Sequence, residues 1–330
     1  MFTVYSKHGC PFCEKFKKVL DIEGLPSLIL VLNEDYTYEE FYELFGNGST
    51  FPQVVMDDIP LGGCQDSLRY MQENNTYVVI RVPKCGSTSL ARMFIDSFPN
   101  SNNFSIYSAN YELMKEDGNQ ISFIEKCRIL KNTQKRNWKN YKSLSFQSVW
   151  EKTNQSIKDG DIIHGHLTID SVRLQNTNKR LITLIRDPYK RMLSDYNYSK
   201  NAYKNKKSPL KKYNKRLYIS ANYSLEGYIS YLKETQPIFG RYISRFVIGK
   251  ENVKDNLEFM NKNYFSYGLL EKIEVFIEDF YKKTNVRLVQ RKANITRNKE
   301  KFDLSQSERL AISKFCEEDI ALYNDIKRTI

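Results

Sequence analysis

Long hydrophobic runs are absent from this sequence of 330 residues. The longest apolar stretches, residues 28–32 and 181–185, have the length of a β-strand, whereas a helix that spans a bilayer needs about 20 apolar residues. Residues 1–5 also lack the basic start and the following apolar stretch of a secretory signal peptide. We therefore expect no membrane span and a cytoplasmic location.

Cysteine is scarce, and only Cys10 and Cys13 are closely spaced. This pattern excludes a small disulfide-stapled scaffold and favours a reducing compartment with a single redox pair. It also disfavours zinc, because no second pair of ligands lies at a suitable spacing, and we predict no metal site. The six cysteines are Cys10, Cys13, Cys64, Cys85, Cys127 and Cys316.

Acidic residues are outnumbered by basic ones, 39 against 51, which gives a net charge of +12. Such a balance favours polyanionic partners, namely nucleic acid, phosphorylated cofactors or acidic glycans. A lysine-rich solvated surface is the alternative interpretation. The length suits two domains or one large one, and it is enough to bury a sizeable core.

Hydrophobic periodicity indicates two blocks of alternating strands and helices without an internal repeat. In the first block, strands are predicted at 2–6, 27–32, 53–56 and 59–61, and helices at 11–23, 37–45 and 66–72. In the second block, a strand begins at Tyr77 and a helix at about Ser87. Residues 100–160 are polar and predicted to be mostly helical; strands follow at 161–164, 180–186 and 264–269, with a helix at 189–198.

The polar stretch 73–76 is the best candidate for a linker between the blocks. We therefore predict one domain over residues 1–75 and a second over residues 77–330.

The close cysteine pair lies between a predicted strand and a predicted helix. The unpaired N–H groups and the positive dipole end of a helix N-terminus stabilise a thiolate. Pro11 suits the first helical position. Cys10 would then be the exposed nucleophile, and Cys13 would resolve the mixed disulfide. A pair of unreactive cysteines is the alternative.

Three motifs in residues 1–75 resemble those of glutaredoxin. They are Val4-Tyr5-Ser6-Lys7 before Cys10-Pro11-Phe12-Cys13, then Thr50-Phe51-Pro52-Gln53, then Gly62-Gly63-Cys64-Gln65-Asp66. The resemblance implies a thioredoxin-like fold with a redox-active disulfide. It also implies glutathione as a cofactor, bound by Lys7, Phe51, Pro52, Cys64 and Asp66.

A second set of candidate residues lies between the strand that begins at Tyr77 and the helix that begins near Ser87. Backbone N–H groups at a helix start, a lysine and several hydroxyls suit a phosphate cradle. The loop lacks the spacing of a Walker A motif, which disfavours a P-loop kinase. Its candidate cofactor-binding residues are Arg81, Lys84, Cys85, Gly86, Ser87, Thr88 and Ser89.

Two later motifs add partners for this loop. Arg186 ends a predicted strand, and Ser194 lies about two turns into the following helix, so both can reach one phosphate. His164 and His166 flank Gly165 after another predicted strand. Histidine titrates near neutral pH and is the usual general base for a hydroxyl. Either histidine could be that base, and a structural role is the alternative.

Together these motifs resemble the sulfotransferases that use 3'-phosphoadenosine-5'-phosphosulfate (PAPS), over residues 77–315. The likeness is strongest to the uronyl 2-O-sulfotransferases, including the heparan sulfate enzyme, in the Val-Pro-Lys loop, the His-Gly-His and the Ile-Arg-Asp-Pro helix start. Residues 268–277 resemble a downstream segment of that family, and residues 291–296 resemble its basic cofactor loop. The resemblance implies a P-loop-like α/β domain whose parallel sheet is flanked by helices. The Cys85-Gly86 pair is typical of microbial relatives, and we expect a microbial or viral origin.

The implied reaction moves the sulfuryl group from PAPS to an acceptor hydroxyl and leaves PAP. His166 would be the general base, with His164 as the alternative, and Lys84 would neutralise the leaving phosphate. Arg186 and Ser194 would bind the 3'-phosphate. The basic loop would add Arg291, Lys292 and Thr296 to the cofactor site.

The densely basic segment 199–217 is predicted to help bind an anionic acceptor such as an acidic glycan, with a solvated loop as the alternative. Its basic residues are Lys200, Lys204, Lys206, Lys207, Lys211, Lys212, Lys215 and Arg216, interleaved with Tyr203, Tyr213 and Tyr218. One rival function is a PAPS reductase fed by the glutaredoxin domain, which the sequence around Cys316 disfavours. Another is a non-catalytic module for nucleotides or nucleic acid, which the His-Gly-His disfavours. The glutaredoxin domain could serve to keep Cys85 reduced, or the fusion could simply deliver two activities together.

Overall fold

Two β-sheets, each accompanied by helices, make up the fold. The computed structural model describes residues 1–73, 75–107, 146–175, 178–204, 214–250, 253–290 and 303–330. Across these ranges no helix combines the length and the apolar character needed to cross a membrane. The predicted α/β class is confirmed.

The first sheet is mixed and has the strand order β2-β1-β3-β4. Its strands are β1 (Phe2–Ser6), β2 (Ser27–Val31), β3 (Gln53–Met56) and β4 (Ile59–Gly62), and its helices are α1 (Pro11–Glu23), α2 (Tyr38–Phe45) and α3 (Cys64–Glu73). β1 pairs in parallel with β2 and antiparallel with β3. This is the thioredoxin-like arrangement that the first three motifs imply.

Local capping signals explain where the first two helices begin and end. At α1, the Cys13 N–H donates to the Cys10 sulfur over 3.2 Å, and Gly24 ends the helix in the left-handed conformation with a φ of 61°. At α2, Thr37 and Glu40 form a capping box. The predicted first helical residue, Thr37, is therefore the cap.

The second sheet is parallel throughout and has the order β6-β7-β5-β8-β9. Its strands are β5 (Thr76–Ile80), β6 (Asn103–Tyr107), β7 (Ile162–His166), β8 (Lys179–Ile185) and β9 (Ser266–Leu269). Every residue of the central strand β5 is buried. Tyr77 and Val79 join one apolar layer, while Val78 and Ile80 join the other. A parallel sheet that is covered on both faces requires such a continuous apolar strand.

Helices cover both faces of this sheet. The helices of this unit in the described ranges are α4 (Ser87–Ser97), α5 (Phe146–Ser156), α6 (Pro188–Lys204), α7 (Lys215–Asn222), α8 (Leu225–Thr235), α9 (Tyr242–Val247), α10 (Asn256–Asn263), α11 (Ile273–Thr284), α12 (Gln306–Phe315) and α13 (Glu317–Thr329). Helices α6, α8 and α12 pack on one another in an apolar cluster apart from the sheet. Phe94 of α4 and Phe280 of α11 lie in one apolar layer. Phe246 of α9 and Leu322 of α13 lie in the other. The helix predicted at 189–198 is confirmed within the longer α6.

The structure differs from the predictions at two places in this region. The strand β6 lies within a stretch that was predicted to be mostly helical. This edge strand buries Phe104, Ser105 and Ile106 in succession, so its sequence does not show the period of two that predicts a strand. Thr76 was assigned to the linker but begins β5, where it is fully buried and its N–H donates to the Asn178 carbonyl at 2.9 Å.

The two sheet units meet along α1 and α11. The Lys15 ammonium of α1 donates to the Asn285 side chain and lies 5.4 Å from the centroid of the Tyr281 ring. Helix α3 also contacts α11. The first unit is therefore attached through side-chain packing as well as through the chain.

Candidate active site

The cysteine pair at the start of α1 lies beside the predicted proline motif. Cys10 and Cys13 form a disulfide, with Cα atoms 5.2 Å apart. The Phe51–Pro52 peptide bond is cis, and the Phe51 carbonyl oxygen lies 3.8 Å from the Cys10 sulfur. Phe12, between the cysteines, is 55% exposed. The structure brings these motifs together, but Cys10, predicted to be exposed, is buried in the disulfide. The redox activity of the pair stays a prediction.

The predicted glutathione-binding residues differ in accessibility. The Lys7 ammonium lies 5.2 Å from the centroid of the Phe51 ring, and Asp66 is exposed on α3. The Cys64 side chain is buried in the core, where burial raises the pKa of its thiol. Only the backbone of Cys64 is therefore placed to contact a ligand.

The loop from β5 to α4 turns through the left-handed region and leads directly into a helix N-terminus. Lys84 and Gly86 both have positive φ angles, of 68° and 70°. A Cβ atom on Gly86 would lie 2.5 Å from the Leu270 side chain, so contact and φ both favour glycine. The first N–H groups of a helix have no intrahelical acceptor, so residues 87–89 offer donors to an anion.

Arg81 supports this loop from inside the protein. Its Nε donates to the Ser87 carbonyl at 2.9 Å, and its Nη2 donates to the Thr88 hydroxyl at 3.4 Å. The residue is buried, with Nη1 3.5 Å from the Nδ1 of His164. Arg81 was predicted to bind the cofactor, and the structure places its guanidinium where it holds the loop.

The Cys85 side chain points out of the loop and into the core. Burial raises the pKa of its thiol to about 12, so the thiol is protonated and unreactive at neutral pH. This argues against the idea that the glutaredoxin domain keeps Cys85 reduced. Only the backbone of Cys85 can take part in phosphate binding.

The structure separates the two candidate bases. His164 is buried inside β7, whereas His166 ends the strand at the carboxyl edge of the sheet. The Nδ1 of His166 donates to the Arg81 carbonyl at 2.6 Å, which puts the lone pair of the neutral ring on Nε2. Burial, together with the Arg81 charge, lowers the pKa of His166 to about 4. The ring is therefore neutral at neutral pH, the form that a general base requires.

Gly165 has a packing reason to lie between the histidines. A Cβ atom there would lie 1.5 Å from the carbonyl oxygen of Ile106 in β6, so no side chain fits. The alternation of a strand places His164 and His166 on the same face of β7.

The Lys84 ammonium lies against the face of an exposed tyrosine ring. Its Nζ is 3.3 Å from the centroid of the Tyr198 ring on α6. Burial lowers the pKa of Lys84 to about 8, Asp195 opposes this shift, and the charges of Arg216 and Arg186 add to it. Three cationic side chains therefore lie close together, which is the electrostatic arrangement of an anion site.

Arg186 connects the phosphate loop to the turn that follows β9. Its Nη1 donates to the Lys84 carbonyl at 3.0 Å, and its Nε lies 4.0 Å from the Glu271 carboxylate. The Glu271 carboxylate also accepts from the Asp187 N–H at 3.3 Å. Ser194 is half-buried two turns into α6. Glu271 lies in the segment 268–277, where the motif assigns it no role, yet its contacts position Arg186.

Arg216 was predicted only as one of the many basic residues of the segment 199–217. Its Nη1 lies 3.4 Å from the Asp195 carboxylate, which also accepts from the Tyr228 hydroxyl at 2.7 Å. The ring of Phe239 lies 4.9 Å from the guanidinium carbon. These contacts between α6, α7 and their neighbours bring Arg216 close enough to Lys84 to lower its pKa.

The rest of the basic segment is described in part. The Lys200 and Lys215 ammonium groups lie 5.6 and 5.8 Å from the centroids of the Tyr196 and Tyr231 rings. Tyr203 and Tyr218 pack edge to face at 5.9 Å. The following residues lie outside the described ranges: Cys127, Lys206, Lys207, Lys211, Lys212, Tyr213, Arg291, Lys292 and Thr296.

Comparison with known protein families finds a match for each of the two sheet units. The sulfotransferase domain family matches residues 75–246, and the glutaredoxin family matches residues 2–59. The chain belongs to the sulfotransferase family and begins with a glutaredoxin domain. The predicted sulfotransferase enzyme with an attached glutaredoxin domain is therefore confirmed at the level of the family.

The curated relatives match the glutaredoxin domain, with 21% of this chain covered in each case. The domain is 34% identical to hybrid peroxiredoxin hyPrx5 of Haemophilus influenzae and spans only 28% of that protein. It is 30% and 33% identical to glutaredoxin 1 of Rickettsia typhi and of Rickettsia prowazekii, over 69% and 76% of those proteins. A solved structure of retinol dehydratase in complex with androsterone and inactive cofactor PAP aligns with 97% of this chain and 96% of that one, at 12% identity and a TM-score of 0.29.

Replacing Glu271 with glutamine is expected to weaken PAP binding about 3–10-fold, because a contact worth roughly 1 kcal/mol that positions Arg186 is lost while the shape is kept. Calorimetric titration with PAP measures the change. Glu274→Gln is the matched control, since that carboxylate contacts Gln290 instead, and its affinity should not change. If Glu271→Gln binds PAP as tightly as the wild type, Glu271 does not position the cofactor site.

Proposed function

We propose that the protein transfers the sulfuryl group of PAPS to a hydroxyl of an acidic glycan and releases PAP. The observation that carries this proposal is the meeting of Lys84, Arg186 and His166 around the start of α4. They lie at the carboxyl edge of a parallel sheet, the place where ligands bind in such sheets. Cationic side chains and helix N–H groups suit the two anionic ends of PAPS, and a neutral imidazole suits the acceptor hydroxyl.

In this proposal His166 acts as the general base. Its Nε2 takes the proton of the acceptor hydroxyl while an O–S bond to the acceptor forms and the S–O bond to the phosphate breaks. The Lys84 ammonium neutralises the charge that develops on the phosphate oxygen. The N–H groups at residues 86–89 bind the 5'-phosphate. Arg186 and Ser194 bind the 3'-phosphate, which distinguishes PAPS from ordinary nucleotides.

The proposed acidic acceptor is supported by cations beyond those assigned to PAPS. Arg216 lies beside Lys84, held by Asp195, and the lysines of α6 and α7 lie among tyrosine rings. Positive charge attracts carboxylate or sulfate groups, and aromatic rings offer flat faces to sugars. The likeness to uronyl 2-O-sulfotransferases in the His-Gly-His motif points to the same class of acceptor.

Conversion of PAPS to PAP by the purified protein, measured with matched anionic and neutral glycans, tests this function. We expect PAP formation that requires the anionic glycan and leaves sulfate on it. Sulfite released in a thiol-dependent reaction would instead identify a PAPS reductase. Binding of PAP without turnover on any acceptor would contradict the transferase proposal and favour a nucleotide-binding module.

We further propose that residues 1–75 act as a glutaredoxin that uses glutathione, while residues 77–330 carry the transferase. The exposed Phe12 beside the Cys10–Cys13 disulfide, and Lys7 beside Phe51, support this proposal. The cytoplasmic location stays a prediction.

Replacing Cys10 with serine is expected to abolish glutathione-dependent disulfide reduction, because the attacking thiolate is lost. Cys13→Ser should still attack a mixed disulfide with glutathione and should lose only the steps that need a resolving thiol. A coupled assay on a glutathione mixed disulfide measures both. Both variants should form PAP at the wild-type rate, and a loss of PAP formation in Cys10→Ser would contradict the independence of the two sites.

A further inference from the structure

The contact between Lys84 and Tyr198 has an unusual geometry for a surface aromatic residue. Tyr198 is 57% exposed, yet one face of its ring lies against the Lys84 ammonium at 3.3 Å from the centroid. A cation within about 6 Å of a ring centroid is attracted by the negative face of the ring. The negative face of the ring therefore has a cationic partner, while more than half of the Tyr198 side chain stays exposed.

The backbone of Lys84 is fixed by its own conformation and by a hydrogen bond from Arg186, so its long side chain is the part that can move. The residue occupies the left-handed region, with a φ of 68°, and its carbonyl accepts from Arg186 at 3.0 Å. Several ionisable groups act on its ammonium: Asp195 from α6, Arg216 from α7, Arg186 after β8 and His166 at the end of β7. Two of these are arginines whose charge disfavours the protonated lysine.

A carboxylate in the position of Tyr198 would hold Lys84 just as well but would also cancel its charge and repel an anionic ligand. An aromatic face attracts the ammonium without adding a negative charge. We propose, building on the transferase function above, that Tyr198 is a positioning residue that keeps the Lys84 ammonium charged and over the phosphate loop, ready for the phosphosulfate. The phosphosulfate then binds a Lys84 ammonium that is already charged and correctly positioned.

Two variants separate the ring face from the phenol hydroxyl. Tyr198→Phe keeps the face and Tyr198→Leu removes it, and the exposure of Tyr198 makes both compatible with folding. Tyr223→Leu is the matched control, because Tyr223 is 53% exposed and its carbonyl, not its ring, makes the contact with Tyr196.

The first measurement uses the protein without ligand. Competitive labelling with an amine-reactive reagent across a pH series, read by mass spectrometry, gives the pKa of Lys84 in each variant. Because the ring favours the charged ammonium, Tyr198→Leu should lower that pKa and label Lys84 faster near neutral pH. Tyr198→Phe and Tyr223→Leu should match the wild type. Unchanged labelling in Tyr198→Leu, or equal changes in Tyr198→Leu and Tyr198→Phe, would overturn the proposal.

The second measurement is the pH profile of kcat/KM for PAPS. In Tyr198→Leu we expect a loss of about 3–30-fold near neutral pH and an alkaline decline that begins at lower pH, both restored in Tyr198→Phe. A profile identical to that of the wild type would overturn the role of Tyr198 even if the labelling changes. If the wild type itself lacks turnover, the transferase proposal fails, while the labelling result still decides whether the ring holds Lys84.

Discussion

Replacing His166 with alanine is expected to lower kcat for sulfuryl transfer by about 10²–10⁴-fold, the usual contribution of a positioned general base. The affinity for PAP should change little, because His166 is assigned to the acceptor and not to the cofactor. The side chain lies at the end of β7, where it donates to the Arg81 carbonyl. Steady-state formation of PAP with a saturating anionic glycan measures kcat, and calorimetry measures PAP binding.

The other two histidines provide the controls for this prediction. His8 lies on the glutaredoxin domain, where it contacts Glu34 at 2.7 Å, so His8→Ala should transfer sulfate at the wild-type rate. His164→Ala should lower thermal stability, because the side chain is buried next to Arg81. A folded His164→Ala that loses kcat while His166→Ala keeps it would reverse the assignment of the base.

The pH dependence offers a separate check on His166. Its pKa is lowered to about 4, so the base is unprotonated above that value and kcat/KM should stay level from neutral pH down to about pH 5. A fall in kcat/KM around pH 6.5, the ordinary histidine range, would show that burial does not depress the pKa as the structure indicates.

Replacing Lys84 with methionine is expected to lower kcat/KM for PAPS by about 10²–10³-fold, because the cation that stabilises the leaving phosphate is lost while the length of the side chain is kept. The pKa of Lys84 is lowered to about 8, so the wild-type kcat/KM should decline as the pH rises through that value and the ammonium loses its proton. In Lys84→Arg, the remaining activity should not show this decline, because arginine stays charged. Stopped assays over a pH series measure both effects.

An exposed lysine on the same helix as Tyr198 provides the matched control. Lys190 lies in the first turn of α6 with its side chain in solvent, and Lys190→Met removes the same charge from the surface. Its kcat/KM should stay within about twofold of the wild type, as expected for exposed substitutions. If Lys84→Met retains most of the wild-type activity, the stabilisation of the leaving phosphate must come from another cation such as Arg186 or Arg216.

The features that follow from neighbouring residues could be predicted from the sequence. The helix from Pro11 to Glu23, with Cys10 as its cap and Gly24 as its end, is set by contacts within a few residues. The buried strand predicted from Tyr77 and the small-residue turn that contains Gly86 are also local, because an apolar run and a turn glycine leave a direct mark on composition. For the same reason, the motifs in residues 77–194 predicted the strand-to-helix turns that carry the candidate site.

Only the tertiary structure decided which residues of similar type reach that site. His164 and His166 are two residues apart on one strand, and the structure distinguishes them because His164 is fully buried within β7 whereas His166 is half-buried at the carboxyl edge of the sheet. Arg216 does not differ locally from its basic neighbours, and the packing of α7 on α6 places it next to Lys84. Capping and periodicity act over a few residues, whereas these placements depend on helices and strands that are far apart in the chain. Which histidine and which basic side chains reach the candidate site is therefore decided only when the core has formed.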